Sequence, residues 1–260
     1  MEDPGEDSHV GLIETDLAIH TEAGETIAAT LTLPDEDGGR KRPAVLLCQG
    51  LSGIRTAVLP ELARIFAGQG LASLRFDYLG CGDSEGEPGW VDPVSRSRQA
   101  ALALAWLIAR DDIDSTKVGV YGHSYGGQTA MSVAARDRRV GAVVAVSSPG
   151  SGSDLLRASR AGWDWIAFSK QLEQERASVA GGSEPRMVGV DELLPFSPAF
   201  LEKWRNLTAG GGGTSSMESG FGLPRYYLLS ADRMIEAEPA ADARRLGGCP
   251  LLMVSGADDD

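Results

Sequence analysis

Histidine is scarce in this chain: of 260 residues only His9, His20 and His123 carry an imidazole. Chemistry that needs a neutral-pH base therefore has three places to find one. Cysteine is equally rare. Cys48, Cys81 and Cys249 are widely spaced and form no C-x-x-C pair, which excludes a disulfide framework and a zinc knuckle and leaves three reduced, small hydrophobes. Positive charge is in the minority, with 24 Lys and Arg against 37 Asp and Glu and a formal charge of −13. Phosphate binding needs clustered cations, so neither nucleic acid nor an anionic membrane is expected as a partner. No run approaches the roughly 18 apolar residues of a membrane span. The acidic start MEDPGEDSHV lacks the basic region and apolar run of a secretory signal. A cytoplasmic location follows as the expectation, with no metal and no cofactor.

With 42% hydrophobic residues, the length suits one large α/β domain or a domain carrying an insertion. GLIETDLAIHTEAGETIAATLTL reads as two strands joined at Gly24, an opening hairpin. Three short apolar runs follow, PAVLLCQG, LASLRFDY and KVGVYGHS, separated by helix-like segments at about 56–68 and 91–110. Continuous apolar runs alternating with helices indicate parallel strands buried on both faces. A fourth run, VGAVVAVSSP, precedes about a hundred residues of helical periodicity and Gly-rich joints, read as an insertion with no sheet in it; a fifth, PLLMVSG, returns to the core. The expected boundaries are a core over 1–149, a helical cap insertion over 150–245 and a return to the core over 246–260. Trp163, Trp165, Phe168 and Trp204 in the insertion are candidates to line a substrate pocket.

The segment VGVYGHSYGGQ places Ser124 in G-x-S-x-G between a strand and a helix. Glycines at 122 and 126 allow a sharp turn that lifts the Ser124 hydroxyl above the carboxyl ends of the strands. The helix beyond it offers free N–H groups and a positive dipole end to a developing oxyanion. A second donor is expected from CQGLSGIR, where Leu51 presents its backbone N–H after the first parallel strand.

These segments, together with RFDYLGCGDSEGEP, VDPVSRSRQAALALAWL and DRRVGAVVAVSSP, resemble the α/β-hydrolase superfamily. The similarity is to its serine esterase, dienelactone-hydrolase-like and prolyl-peptidase-related branch, and covers about residues 20–150 and 245–260. Gln49 stands where histidine is commoner. The resemblance implies an α/β-hydrolase fold, a mostly parallel sheet flanked by helices, with Tyr125 as the other oxyanion donor. Gly80, Gly82 and Gly86 shape a loop beside the nucleophile turn, and Asp77 and Asp83 are expected to bond its backbone. His123, adjacent to Ser124, is expected to be a packing residue, and neither His9 nor His20 is a credible base.

In this fold the acid follows the strand after the insertion and the histidine comes later. The resemblance implies a G-x-x-D register, which on GADD selects Asp259, with Asp258 as runner-up. The expectation is a chain truncated before its catalytic histidine and its closing strand and helix. The implied activity is a serine hydrolase of carboxylic esters or thioesters, acting on a small-molecule acyl substrate through an acyl-enzyme. Acyl transfer, peptidase activity with Glu173, Glu175 or Glu192 receiving a substrate amine, and non-catalytic binding stand as alternatives. The oligomeric state is open.

Overall fold

The computed structural model describes residues 11–35, 40–198, 202 and 224–256. Strands β1 (Leu12–His20) and β2 (Thr26–Pro34) pair antiparallel around Gly24, whose φ of 88° suits the tight turn. The chain then enters β3 (Arg42–Cys48), α1 (Leu59–Gly68), β4 (Ala72–Phe76), α2 (Pro93–Ile108), β5 (Ile113–His123), α3 (Tyr125–Arg136) and β6 (Val140–Val146). With β9 (Leu251–Val254), these strands form a seven-stranded sheet of order β1-β2-β4-β3-β5-β6-β9. Ladders from β4 to β9 are parallel, and the hairpin joins antiparallel through β2 and β4. This is the mostly parallel, helix-flanked sheet expected of an α/β-hydrolase.

The period of two along β3 divides its residues between the two faces. Leu46 joins the main core with Ala100, Ala103, Leu104 and Leu107 of α2 and Met131 of α3. Leu47 packs with Leu59 and Ala63 of α1 in a separate cluster. All five residues of β4 are buried, as a strand covered by helices on both faces requires. Helix α2 starts where Asp92 caps it, its carboxylate accepting from the N–H groups of Val94 at 2.8 Å and Ser95 at 3.3 Å, with Pro93 in the first turn.

The insertion holds α4 (Gly152–Ala158), α5 (Gly162–Ala180), α6 (Val190–Leu193), α7 (Ser230–Ile235) and α8 (Pro239–Arg244). It also contains two short strands, β7 (Met187–Gly189) and β8 (Arg225–Tyr227), paired antiparallel. This corrects the reading of a segment without sheet. A three-residue strand is too short to display alternation, and its partner lies some forty residues away. The insertion has a core of its own, in which Leu156, Phe168, Leu172, Leu193, Tyr226 and Met234 cluster with Leu51 and Tyr125. It therefore sits on the two residues expected to flank the nucleophile.

Candidate active site

The site is built at the junction of β5 and α3. Ser124 has φ 51° and ψ −128°, a conformation uncommon for a residue with a side chain. It is exposed, and its N–H donates to the Val146 carbonyl at 2.7 Å. Close packing beneath it depends on the absence of side chains: a Cβ on Gly126 would collide with the Cys48 and Gln49 carbonyls, and one on Gly122 with the Gly126 carbonyl. Among the described residues the Ser124 hydroxyl has no hydrogen-bond partner.

The loop after β3 passes directly beside this turn. A Cβ built on Gly50 would lie 3.5 Å from Ser124 Cβ and 3.4 Å from His123 Nε2. The next residue is Leu51. Neither its N–H nor that of Tyr125, at the first position of α3, donates to a described residue. The residue after Gly50 and the residue after the serine thus each carry an N–H without a described acceptor. Gln49 steadies the start of the loop from below, its amide nitrogen donating to the Phe76 carbonyl at 2.6 Å.

A buried ion pair ties this loop to the one after β4. Asp77, fully buried, accepts from the Arg55 N–H at 2.6 Å and guanidinium at 2.7 Å, and from the Asp83 N–H at 3.1 Å. Asp83 departs from expectation: its carboxylate takes the Arg55 guanidinium at 2.6 Å rather than loop backbone. Gly82, with φ 54°, leaves room for the Asp77 carboxylate, which a Cβ there would strike. The two aspartates raise the Arg55 pKa despite its burial.

His123 ends β5 with its ring partly buried, and burial lowers its pKa. No described residue hydrogen-bonds it, so no described carboxylate orients it. His20 closes β1, at the opposite edge strand of the sheet from β9. His9, Trp204, Asp258 and Asp259 lie outside the described residues. The strand leading to the last two is in place: His123 pairs with Val146, and Val146 with Val254, so β9 ends level with the serine turn, two strands across.

Of the insertion residues singled out, Phe168 is buried, Trp165 is half-buried and Trp163 is 83% exposed. Arg157, Arg160, Gly162, Trp163, Trp165 and Ile166 line an open groove of about 540 Å³ at the α4–α5 joint. Glu175 is engaged, accepting from the Arg186 N–H at 2.5 Å. Two residues that the sequence reading passed over touch the Leu51 loop, Arg96 from α2 and Tyr226 from β8. Arg96 had left a signal: it stands on the stripe of Ala100, Ala103 and Leu107, where an arginine is out of place. Tyr226 had left none. No group of three His, Cys, Asp or Glu side chains able to hold a metal occurs among the described residues, nor does any helix long and apolar enough to cross a membrane.

Residues 23–184 match the family described as X-Pro dipeptidyl-peptidase (S15 family). The chain belongs to this family. It is thereby a member of the α/β-hydrolase superfamily. An uncharacterized 31.7 kDa protein of the traX-finO intergenic region of Escherichia coli is 29% identical over 237 residues, 90% of this chain and 78% of that protein. Polyketide transferase af380 of Aspergillus fumigatus is 28% identical over 229 residues, 85% of this chain and 73% of that protein. Among solved structures, the α/β hydrolase GrgF from Penicillium sp. sh18 superposes with a TM-score of 0.73 at 21% identity, covering 94% of this chain and 80% of that one. Hydrolase and acyl-transfer chemistry are thus the activities associated with this fold among the family member's relatives.

Proposed function

We propose that the chain is a serine hydrolase that cleaves carboxylic esters or thioesters through an acyl-enzyme. The observation that carries this reading is the conformation of Ser124, an exposed hydroxyl on a positive-φ turn beside the loop after β3; the N–H groups of Leu51 and Tyr125, without described acceptors, support it. In the proposed reaction Ser124 Oγ bonds to the acyl carbon and the carbonyl π pair moves to oxygen. The resulting oxyanion is held by the N–H groups of Leu51 and Tyr125. The Ser124 proton passes through a base to the leaving alcohol or thiol as the C–O or C–S bond breaks. Water then attacks the acyl-enzyme by the same steps in reverse and releases the acid. Asp259 is the acid we assign to orient the base. Neither His20 nor His123 is assigned as that base, since the first is on the far edge strand and the second has no described acid partner.

A second reading, acyl transfer to an alcohol or amine in place of water, is favoured by the polyketide transferase among the relatives. The peptidase reading loses one of its candidate amine receptors, since Glu175 is occupied by Arg186. Three free cysteines accord with a cytoplasmic location.

The test is Ser124→Ala in the gene product as the organism makes it, assayed with p-nitrophenyl acetate and an acyl thioester. Loss of turnover with unchanged circular dichroism is expected, because removing one member of an interdependent triad costs about as much as removing all of it. Turnover retained within about threefold would sink the assignment. Adding an alcohol acceptor and analysing products separates hydrolysis from transfer.

A further inference from the structure

We infer that Arg96 is a positioning residue for the oxyanion site, a buried cation that orients the Leu51 loop and adds positive potential where the oxyanion develops. This rests on the reading of Ser124, Leu51 and Tyr125 given above. Arg96 is 3% exposed. Its Nη2 donates to the Leu51 carbonyl at 2.8 Å. Its guanidinium carbon lies 4.6 Å from the centroid of the Tyr78 ring and 5.6 Å from that of Tyr125. Arg96 thus touches both residues whose N–H groups flank Ser124.

What surrounds the cation is unusual. Among the described residues Arg96 forms no ion pair, and its Nη1 has no hydrogen-bond partner. Its neighbours are the phenols Tyr78, Tyr125 and Tyr226 and the Cys81 thiol, all groups that are neutral when buried. Contrast Arg55, on the same loop, whose charge is matched by two aspartates. A buried guanidinium without a carboxylate is costly in desolvation, and aromatic faces and one carbonyl offset only part of that cost. For stability alone an apolar residue on the stripe of Ala100 and Ala103 would serve better. The unmatched charge acquires a use when a negative charge forms nearby: a preoriented cation in a dry site stabilises it without reorganisation.

The carbonyl that Arg96 holds has a second anchor. Tyr226, from β8 of the insertion, reaches the Leu51 carbonyl with its hydroxyl at 3.3 Å and lies 2.7 Å from Ser52 Oγ; with its one proton on the carbonyl, the Ser52 hydroxyl donates to the phenol oxygen. Fixing that carbonyl holds the Leu51–Ser52 peptide plane, next along the chain from the Gly50–Leu51 plane that carries the Leu51 N–H. Arg96 reaches the reaction only through Leu51 and Tyr125 and through its field.

The experiment compares Arg96→Met, Arg96→Lys and Ser124→Ala in the gene product as the organism makes it. The measurements are kcat and KM for p-nitrophenyl acetate and inhibition by phenylboronic acid, whose tetrahedral adduct with a serine carries negative charge. Arg96→Met should lower kcat by about 10–100-fold and weaken the boronic acid by a similar factor, with KM within about threefold. Arg96→Lys, which keeps the charge, should recover part of both. A merely structural role would not move inhibitor affinity in step with kcat. Folded Arg96→Met with unchanged kcat and inhibition, or a rise in KM alone, overturns the inference. If Arg96→Met does not fold, Arg96→Lys decides: a severalfold loss in both quantities supports it and no change in either overturns it. Turnover that survives Ser124→Ala overturns the reading of the site and the inference with it. Ser124-dependent turnover untouched by Arg96 overturns the inference alone.

Discussion

At the residue scale, the histidine beside Ser124 illustrates how sequence adjacency misleads. His123 and Ser124 both abut Gly50, yet the imidazole is partly buried and has no described hydrogen-bond partner. Burial disfavours the imidazolium and holds its pKa below the usual 6.5. As pH falls, the unfolded chain therefore binds this proton before the folded one does. The stability contributed by keeping His123 neutral is present above about 6.5 and is lost as pH falls toward the depressed value. Thermal melts between about pH 7.5 and pH 5 should accordingly show a smaller loss of Tm for His123→Gln than for the unaltered protein. Equal losses would show that His123 is not the group that titrates. The same substitution should reduce ester turnover far less than Ser124→Ala, since a residue without an orienting acid is poorly placed to act as the base.

At the scale of elements, the loops after β3 and β4 act as one unit because Arg55 lies between Asp77 and Asp83. Asp77 is fully buried and accepts from four donors, while Asp83 remains largely exposed. Removing the buried partner leaves Arg55 only the exposed Asp83 and orphans the Arg55 and Asp83 N–H groups that Asp77 accepts, which costs about 3 kcal/mol. Removing the exposed one costs on the order of 1 kcal/mol or less. Urea unfolding should therefore place Asp77→Ala well below Asp83→Ala in stability. Because the first loop carries Leu51, the oxyanion donor we propose, Asp77→Ala should also lower turnover even where the protein remains folded. Equal stability of the two variants would show that the buried pair does not hold the loops.

For the whole molecule, the edge formed by β9 stands out. Among the described residues it pairs on one side only, with β6, and Leu252, Met253 and Val254 are 58%, 52% and 45% exposed. Exposed apolar side chains on a strand with unpaired backbone groups, and no charge or proline within it, favour pairing with another chain. The 260-residue chain should self-associate in a concentration-dependent way, measured by sedimentation or size exclusion. Met253→Lys should reduce it by placing a charge on the edge. A monodisperse monomer for the unaltered chain would show that this edge is covered.

The sequence by itself determined the elements whose cause is local. Short apolar runs separated by helical periodicity yielded the parallel strands and their succession along the chain, while their order across the sheet came from the structure. The glycines at 122 and 126 announced the turn at Ser124, because only a residue without Cβ fits against the Cys48 and Gly126 carbonyls. The helix expected from about 91 begins at Pro93 behind the Asp92 cap, a start whose cause is equally local. What the tertiary structure decided depends on approach between distant residues. Tyr226 meets Ser52 across 174 positions, Arg55 meets Asp77 across 22, and Glu175 closes on Arg186 within the insertion. No periodicity encodes such pairs, and the three-residue strands β7 and β8 are too short to display one. Arg96 stands between the two cases. Its place on an apolar stripe was visible in the sequence, but only the packing of α2 under the Leu51 loop shows that its charge is buried with no described carboxylate paired to it.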